Sequence, residues 1–224
     1  MPEWCRLRRK QNRLRLVAVR RISRLSHAVL ATFAVLLVPA AAVGQERPPL
    51  ALMGTIPLYW GEADGLADLL SGAGALHWAR AELEREWQLV PLDYLSVAAL
   101  ATHRHLLLAQ PRGLTGEENV ALDGWVRGGG LLLPFAAPLL TGESRYAIGG
   151  RRRPQDVALL SPILAHWGLE LRFAEQPDAA PQLRALGDLA LPVEQPGQLA
   201  LIGPHAPCHL LGEGLVAACR LGAG

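Results

Sequence analysis

Short, uniformly apolar runs alternate with amphipathic ones along most of this chain. Residues 53–58 read as a strand buried on both faces, and the run passes straight into Tyr59, Trp60, Gly61 and Glu62. Residues 66–70 and 76–87 have helical spacing, the second with "ARAELERE" on its polar side. Residues 87–93 predict a second strand, and Pro91 points to a sheet edge because proline gives no N–H to a ladder. A short helix over 95–103 leads to a third, wholly apolar strand over 105–111. Thr115 followed three positions later by Glu118 is the capping-box pattern of a helix start. Val120, Ala121 and Trp125 are its expected inner face, and the glycines at 128–130 stop it. Residues 131–135 predict a fourth strand, 155–167 a helix between Pro154 and Gly168, and 169–173 a fifth strand.

Strand, helix, strand at this spacing is the pattern of right-handed βαβ units and a mainly parallel sheet. The strands over 53–58, 105–110 and 131–135 are expected to be adjacent, central and parallel, since each is apolar on both faces. Residues 174–196, rich in Pro, Ala, Gln and Asp, read as a surface excursion. Strand character resumes over 197–203, and "CHLLGEGLVAAC" reads as a hairpin turning at Gly212 to Gly214. The expectation is a single α/β domain over 45–224.

The amino-terminal stretch has a different character. Residues 1–26 carry nine basic side chains against Glu3, and residues 28–43 are apolar and uncharged, ending in "PAAAVGQ". Positive charge, a short apolar core and small residues describe a secretory signal, with cleavage expected after Gly44. The alternative is an uncleaved anchor through 28–43. Either way the chain is expected to be exported to the periplasm. Of 22 basic residues in the chain, 13 lie beyond Gly44, all arginine, against 19 acids, a balance of about −6. The basic character therefore belongs to the leader and is no nucleic-acid footprint. The three cysteines divide as Cys5 in the leader and the pair Cys208 and Cys219, which an oxidising compartment allows to bridge. A two-residue turn at Glu213-Gly214 brings these two face to face; a three-residue turn over 212–214 sends them to opposite faces.

Two groups of residues suggest a site. Tyr59, Trp60 and Glu62 follow the first strand, where open α/β sheets bind ligands. They are expected to share a concave surface with Gln110, Pro111 and Ala136, also at carboxyl ends of strands. The aromatics suit a sugar-like or apolar ring, and Glu62 suits its hydroxyls or an arginine. The alternative is that the rings cap the core and Glu62 caps the next helix. The second group is Ser144, Arg145, Arg151, Arg152 and Arg153, whose guanidinium forks suit a phosphate or carboxylate; the alternative is a solvated loop paired with Asp156. No nucleophile elbow is present: the turn after Phe135 is Ala136, Ala137, Pro138, and G-x-S-x-G is absent. The glycine runs lack phosphate-loop spacing. "HAPCH" over 205–209 has no second cluster to complete a metal tetrahedron, and His103-Arg104-His105 reads as structural.

The stretch "LLLAQPRGLTGEENVALDGWVRGGGLLLPFAAPLL" resembles the signature of the GldG-like "ABC-type uncharacterised transport system" domains. "PLYWGEA", "LTGESRYAIG" and "RRRPQDVALLSPILAHWGLEL" are similar to a family of exported alphaproteobacterial proteins. The resemblance spans residues 51–173. It implies a flavodoxin-like, class I amidotransferase-like three-layer sandwich, usually non-catalytic, serving envelope or transporter subunits. Ala137-Pro138 stands where that family often has Asp-Pro, and the chain closes at "RLGAG" as though a last strand were missing. The function expected is a non-enzymatic extracytoplasmic accessory or ligand-binding domain without cofactor or metal, taking an anionic or sugar-like ligand or a protein subunit. The alternative is a hydrolase or amidotransferase-like enzyme using Glu62 with a histidine such as His77.

Overall fold

Leu50, Ala51, Leu52 and Met53 are all buried, and they form the centre of strand β1 (Pro49–Gly54). A strand apolar on both faces belongs inside a sheet covered on both faces. β1 pairs in parallel with β2 (Gln88–Pro91) on one side and with β3 (His105–Ala109) on the other. β3 pairs in parallel with β4 (Leu131–Phe135), so the strand order is β2-β1-β3-β4. The computed structural model describes residues 47–62, 67, 70, 76–140, 142–173, 181–204 and 206–224. The leader with its Gly44 cleavage point, the apolar stretch 28–43, most of the 66–70 helix, residues 174–180 and His205 lie outside the described residues.

The two faces of the sheet carry separate cores. On one, Ala51, Met53, Leu106 and Leu108 pack with Leu100 of helix α2 (Val97–Ala101), Leu122 and Val126 of α3 (Gly116–Arg127), and Ile163 and Leu164 of α4 (Ser161–His166). On the other, Leu50, Leu52, Leu89 and Leu107 pack with Ala79 and Leu83 of α1 (Trp78–Leu83), with Leu58 and with Trp87. The start of α3 is set locally. Thr115 accepts from the Glu118 N–H at 3.2 Å, and the Glu118 carboxylate accepts from the Thr115 N–H at 2.9 Å. The buried stripe of α3 is Glu118, Ala121, Leu122 and Val126, so Val120, expected inside, is turned to solvent.

Several expectations need correction. β1 begins and ends four residues earlier than 53–58, because a continuous apolar run carries no periodic mark of its end. Beyond Gly54 the chain turns away: the Thr55 N–H bonds the carbonyls of Ala109 and Gln110. β4 is adjacent and parallel but lies at the sheet edge rather than in the centre. Its outer side chains Leu131, Leu133 and Phe135 are exposed, and Pro134 sits where its missing N–H points away from β3. Pro91 is likewise on an edge strand. The helix expected over 155–167 is confined to α4, because residues 155–158 are held by other loops and Pro162 marks the helix start. The fifth strand, β5 (Leu169–Arg172), leaves the parallel sheet and pairs antiparallel with β8 (Gln198–Leu201). Within the expected excursion, β6 (Gln182–Leu186) and β7 (Leu189–Val193) form an antiparallel hairpin.

The last hairpin joins β9 (Cys208–Leu211) to β10 (Val216–Cys219). Its connection, residues 212–215, has positive φ at Gly212 (56°), Glu213 (57°) and Gly214 (88°), and the Leu215 N–H returns to the Gly212 carbonyl at 3.1 Å. The two-residue turn expected at Glu213-Gly214 is thus longer by one residue on each side, which leaves the register unchanged. In that register Cys208 opposes Cys219, and the two are joined by a disulfide with Cα atoms 3.9 Å apart. The Arg220 N–H bonds the Pro207 carbonyl next to them, so the cysteines occupy a non-hydrogen-bonded pair, the closer kind.

Candidate functional site

The loops that follow β1, β3 and β4 meet at the carboxyl end of the sheet, and Gln110 ties them together. It is 1% exposed and takes a left-handed backbone, φ 46°. Its amide nitrogen donates to the carbonyls of Ala137 and Gln155, both at 3.0 Å, and its amide oxygen accepts from the Ala137 N–H at 2.8 Å. Thr55 adds a second tie, its hydroxyl donating to the Gln110 carbonyl and accepting from the Gln155 N–H at 2.8 Å. The Gln110 amide is thus engaged within the chain, and Pro111 beside it is fully buried. These residues close the crevice between β1 and β3 instead of lining it.

The surface that remains lies further out, where the two candidate groups converge on Glu62. One Glu62 oxygen accepts from the Arg145 N–H at 3.0 Å, with the Arg145 guanidinium 3.9 Å away, and the Ser144 hydroxyl donates to the same carboxylate. Burial pushes the Glu62 pKa up, but the Ser144 and Arg145 hydrogen bonds and the charges of Arg145 and Arg153 outweigh it and hold the carboxyl below its ordinary value. Tyr59 is fixed by Arg80, which sequence reasoning missed: its guanidinium stacks 4.4 Å from the Tyr59 ring centre and donates to the Tyr59 carbonyl. Trp60 packs edge-on against Tyr59 at 4.8 Å and remains 64% exposed.

Within the 144–153 loop the arginines divide in function. Arg153 turns inward to Asp156 at 2.9 Å and to the Tyr146 carbonyl at 3.0 Å. Arg152 lies 4.6 Å over the Tyr146 ring and donates to its hydroxyl at 3.1 Å. Arg145, Arg151 and Arg152 are exposed. Tyr146 carried no sequence signal, since only the folded loop brings its ring under an arginine.

For proton transfer the arrangement offers little. His77 caps α1, its Nδ1 accepting from the Ala79 N–H at 3.2 Å, and burial lowers its pKa. Among the described residues no group of three or more His, Cys, Asp or Glu is arranged to hold a metal. A cavity of about 620 Å³ opens elsewhere, between α2 and α3 beside the segments leading into β3 and β4. Val97, Val120, Trp125 and Gly130 line it, away from both candidate groups. Compared with protein-family models, with curated protein sequences and with solved structures, the chain matches none.

Proposed function

We propose that this chain is a non-enzymatic, extracytoplasmic accessory domain that binds through the rim at the carboxyl end of its parallel sheet. The observation that carries this is the division of labour on that rim. Glu62 and Gln110 are engaged in holding loops and His77 in capping α1, while Trp60, Arg145, Arg151 and Arg152 are exposed. An exposed indole beside guanidinium groups suits an anionic or sugar-like ligand, the ring stacking on an apolar face and the arginines meeting charge.

The strand order supports a flavodoxin-like reading, since 2-1-3-4 is the beginning of the flavodoxin-like order 2-1-3-4-5. The three-layer amidotransferase-like sandwich and the assignment to an envelope or ABC-transport assembly rest on the sequence resemblance. Export to the periplasm, with residues 28–43 as leader or anchor, draws on the leader pattern and on the Cys208–Cys219 disulfide, a bond that persists in oxidising compartments.

Binding of the purified full chain to an array of acidic and neutral saccharides and small carboxylates and phosphates tests the reading. Trp60→Ala and Arg145→Ala should each weaken the best ligand about tenfold or more, with the circular dichroism spectrum unchanged. Equal binding by wild type and both variants, or turnover of any bound compound, would overturn it.

A further inference from the structure

Ile148 is 85% exposed at the tip of a turn. The Gly150 N–H bonds the Ala147 carbonyl at 3.0 Å and Gly149 has φ 79°, the hydrogen bond and positive third position of a type II turn, which thrusts its second residue outward. Arg145 stands on one side of this tip and Arg151 and Arg152 on the other. The loop is not left to find its shape on contact: Glu62 holds its base through Ser144 and Arg145, and Arg153 anchors its far end to Asp156. Across the Glu62 tie lies Trp60, two residues along the neighbouring loop, with its indole mostly in solvent.

We infer that this rim is a docking surface for an anionic lipid bilayer, with Ile148 and Trp60 entering the interfacial layer and Arg145, Arg151 and Arg152 meeting headgroup phosphates. The inference deepens the binding reading above by naming the source of the anion. Apolar tips gain by leaving water, tryptophan favours the headgroup level, and arginines beside them add attraction to anionic lipid. Charge distribution gives the orientation. Residues 143–153 hold four arginines against Glu143, and Glu62 and Asp156 offset Arg145 and Arg153, so the rim keeps a balance of about +1, carried by Arg151 and Arg152, whereas the chain beyond Gly44 has a balance of about −6. At physiological salt the surface field falls off within about 8 Å, so an anionic membrane attracts the near, basic rim and is screened from the acidic remainder. A soluble anion would need the arginines but leaves the outward isoleucine without a role. A bilayer uses both.

The test uses the full chain with Cys5→Ser and Ile148→Cys, carrying an environment-sensitive fluorophore on the new thiol. Vesicles of phosphatidylglycerol and phosphatidylcholine should shift its emission to the blue, and phosphatidylcholine alone should not. In flotation with the mixed vesicles, Arg151→Ala/Arg152→Ala should weaken binding at least about tenfold, Ile148→Ser should weaken it severalfold, and Arg151→Lys/Arg152→Lys should keep it. An unshifted fluorophore, or equal flotation of wild type, Ile148→Ser and the double alanine variant, overturns the inference. So does loss of the shift on adding millimolar inorganic phosphate or glycerol phosphate, which would mean a site for a free anion. Trp60-dependent binding of a soluble saccharide or carboxylate without any vesicle response removes the bilayer while leaving the binding rim standing. Failure of both removes both.

Discussion

The Glu62 carboxylate accepts a hydrogen bond from the backbone N–H of Arg145 at 3.0 Å, across 83 positions of sequence. That one contact joins the loop after β1 to the basic loop after β4 and sets the shape of the exposed rim. Glu62→Ala should therefore loosen residues 142–153 more than the sheet. Limited trypsin digestion should cut faster at Arg145, Arg151 and Arg152, with amide exchange in β1 and β3 unchanged. The native pKa of Glu62 is below its ordinary 4.5. The tie is thus complete above pH 4.5 and is lost as pH falls through the native value, so digestion of the wild type should approach that of the variant in acid. Equal cleavage of the two proteins at pH 7 would remove the latch.

Glu118 is the other acid whose state matters, and its task is structural. Its side chain is 0% exposed and receives both terminal nitrogens of Arg112 at 2.8 Å, besides the N–H groups of Leu95 and Thr115. These bonds, with Arg112 foremost, hold its pKa at about 2. Glu118→Gln should cost about 1 to 3 kcal/mol in urea unfolding at pH 7, the range for hydrogen bonds to a charged group, since the carboxylate is buried but Arg112 is 40% exposed. Because the native pKa is lowered, the stabilisation is full above pH 4.5 and disappears as pH falls toward about 2. The gap between wild type and variant should close over that interval.

Gln110→Ala removes the amide that serves two carbonyls and one N–H, on a left-handed backbone that glutamine and alanine disfavour alike. A loss of about 2 to 3 kcal/mol is expected, at roughly 1 kcal/mol per buried hydrogen bond. Gln110→Gly should lose less, because glycine relieves the left-handed strain that glutamine and alanine both carry. Amide exchange should rise at Ala137 in both variants. If glycine restores full stability, the side chain does not tie the loops.

Gly54→Ala tests the closeness of β1 and β3 below the rim. A Cβ on Gly54 would lie 2.1 Å from the Ala109 carbonyl oxygen, a backbone atom that cannot step aside without moving its strand. The expected penalty is about 1 to 3 kcal/mol or more in thermal unfolding, with folding lost altogether as the extreme outcome. A wild-type melting temperature would contradict the strand spacing.

The Cys208–Cys219 bridge predicts that denatured, unreduced full chain offers one reactive thiol, from Cys5, among its three cysteines. Replacing both bridged cysteines with alanine should lower stability by about 2 to 3 kcal/mol, as expected for a short closed loop. Two or three labelled thiols would contradict the pairing.

What the sequence determined by itself was whatever rests on neighbours along the chain. The Thr115–Glu118 capping box, the bounds of β4 and the hairpin register that aligns Cys208 with Cys219 depend on residues a few positions apart, and their side-chain chemistry is readable in order. The parallel pairing of β1, β3 and β4 was also legible, because short apolar runs separated by helical segments suit a parallel sheet covered on both faces, although β4 lies at its edge. What only the tertiary structure decided was where those runs stop and who meets whom. β1 ends at Gly54 because Thr55 finds Gln110, 55 positions away, and Gln110 is withdrawn from solvent because Ala137 and Gln155 surround it. β4 is at the edge because β5 pairs with β8, a choice between distant partners of similar apolarity. The convergence of Glu62 with Arg145 belongs to the same class: each loop alone reads as solvated and polar, and only packing brings the carboxylate under the N–H that fixes it.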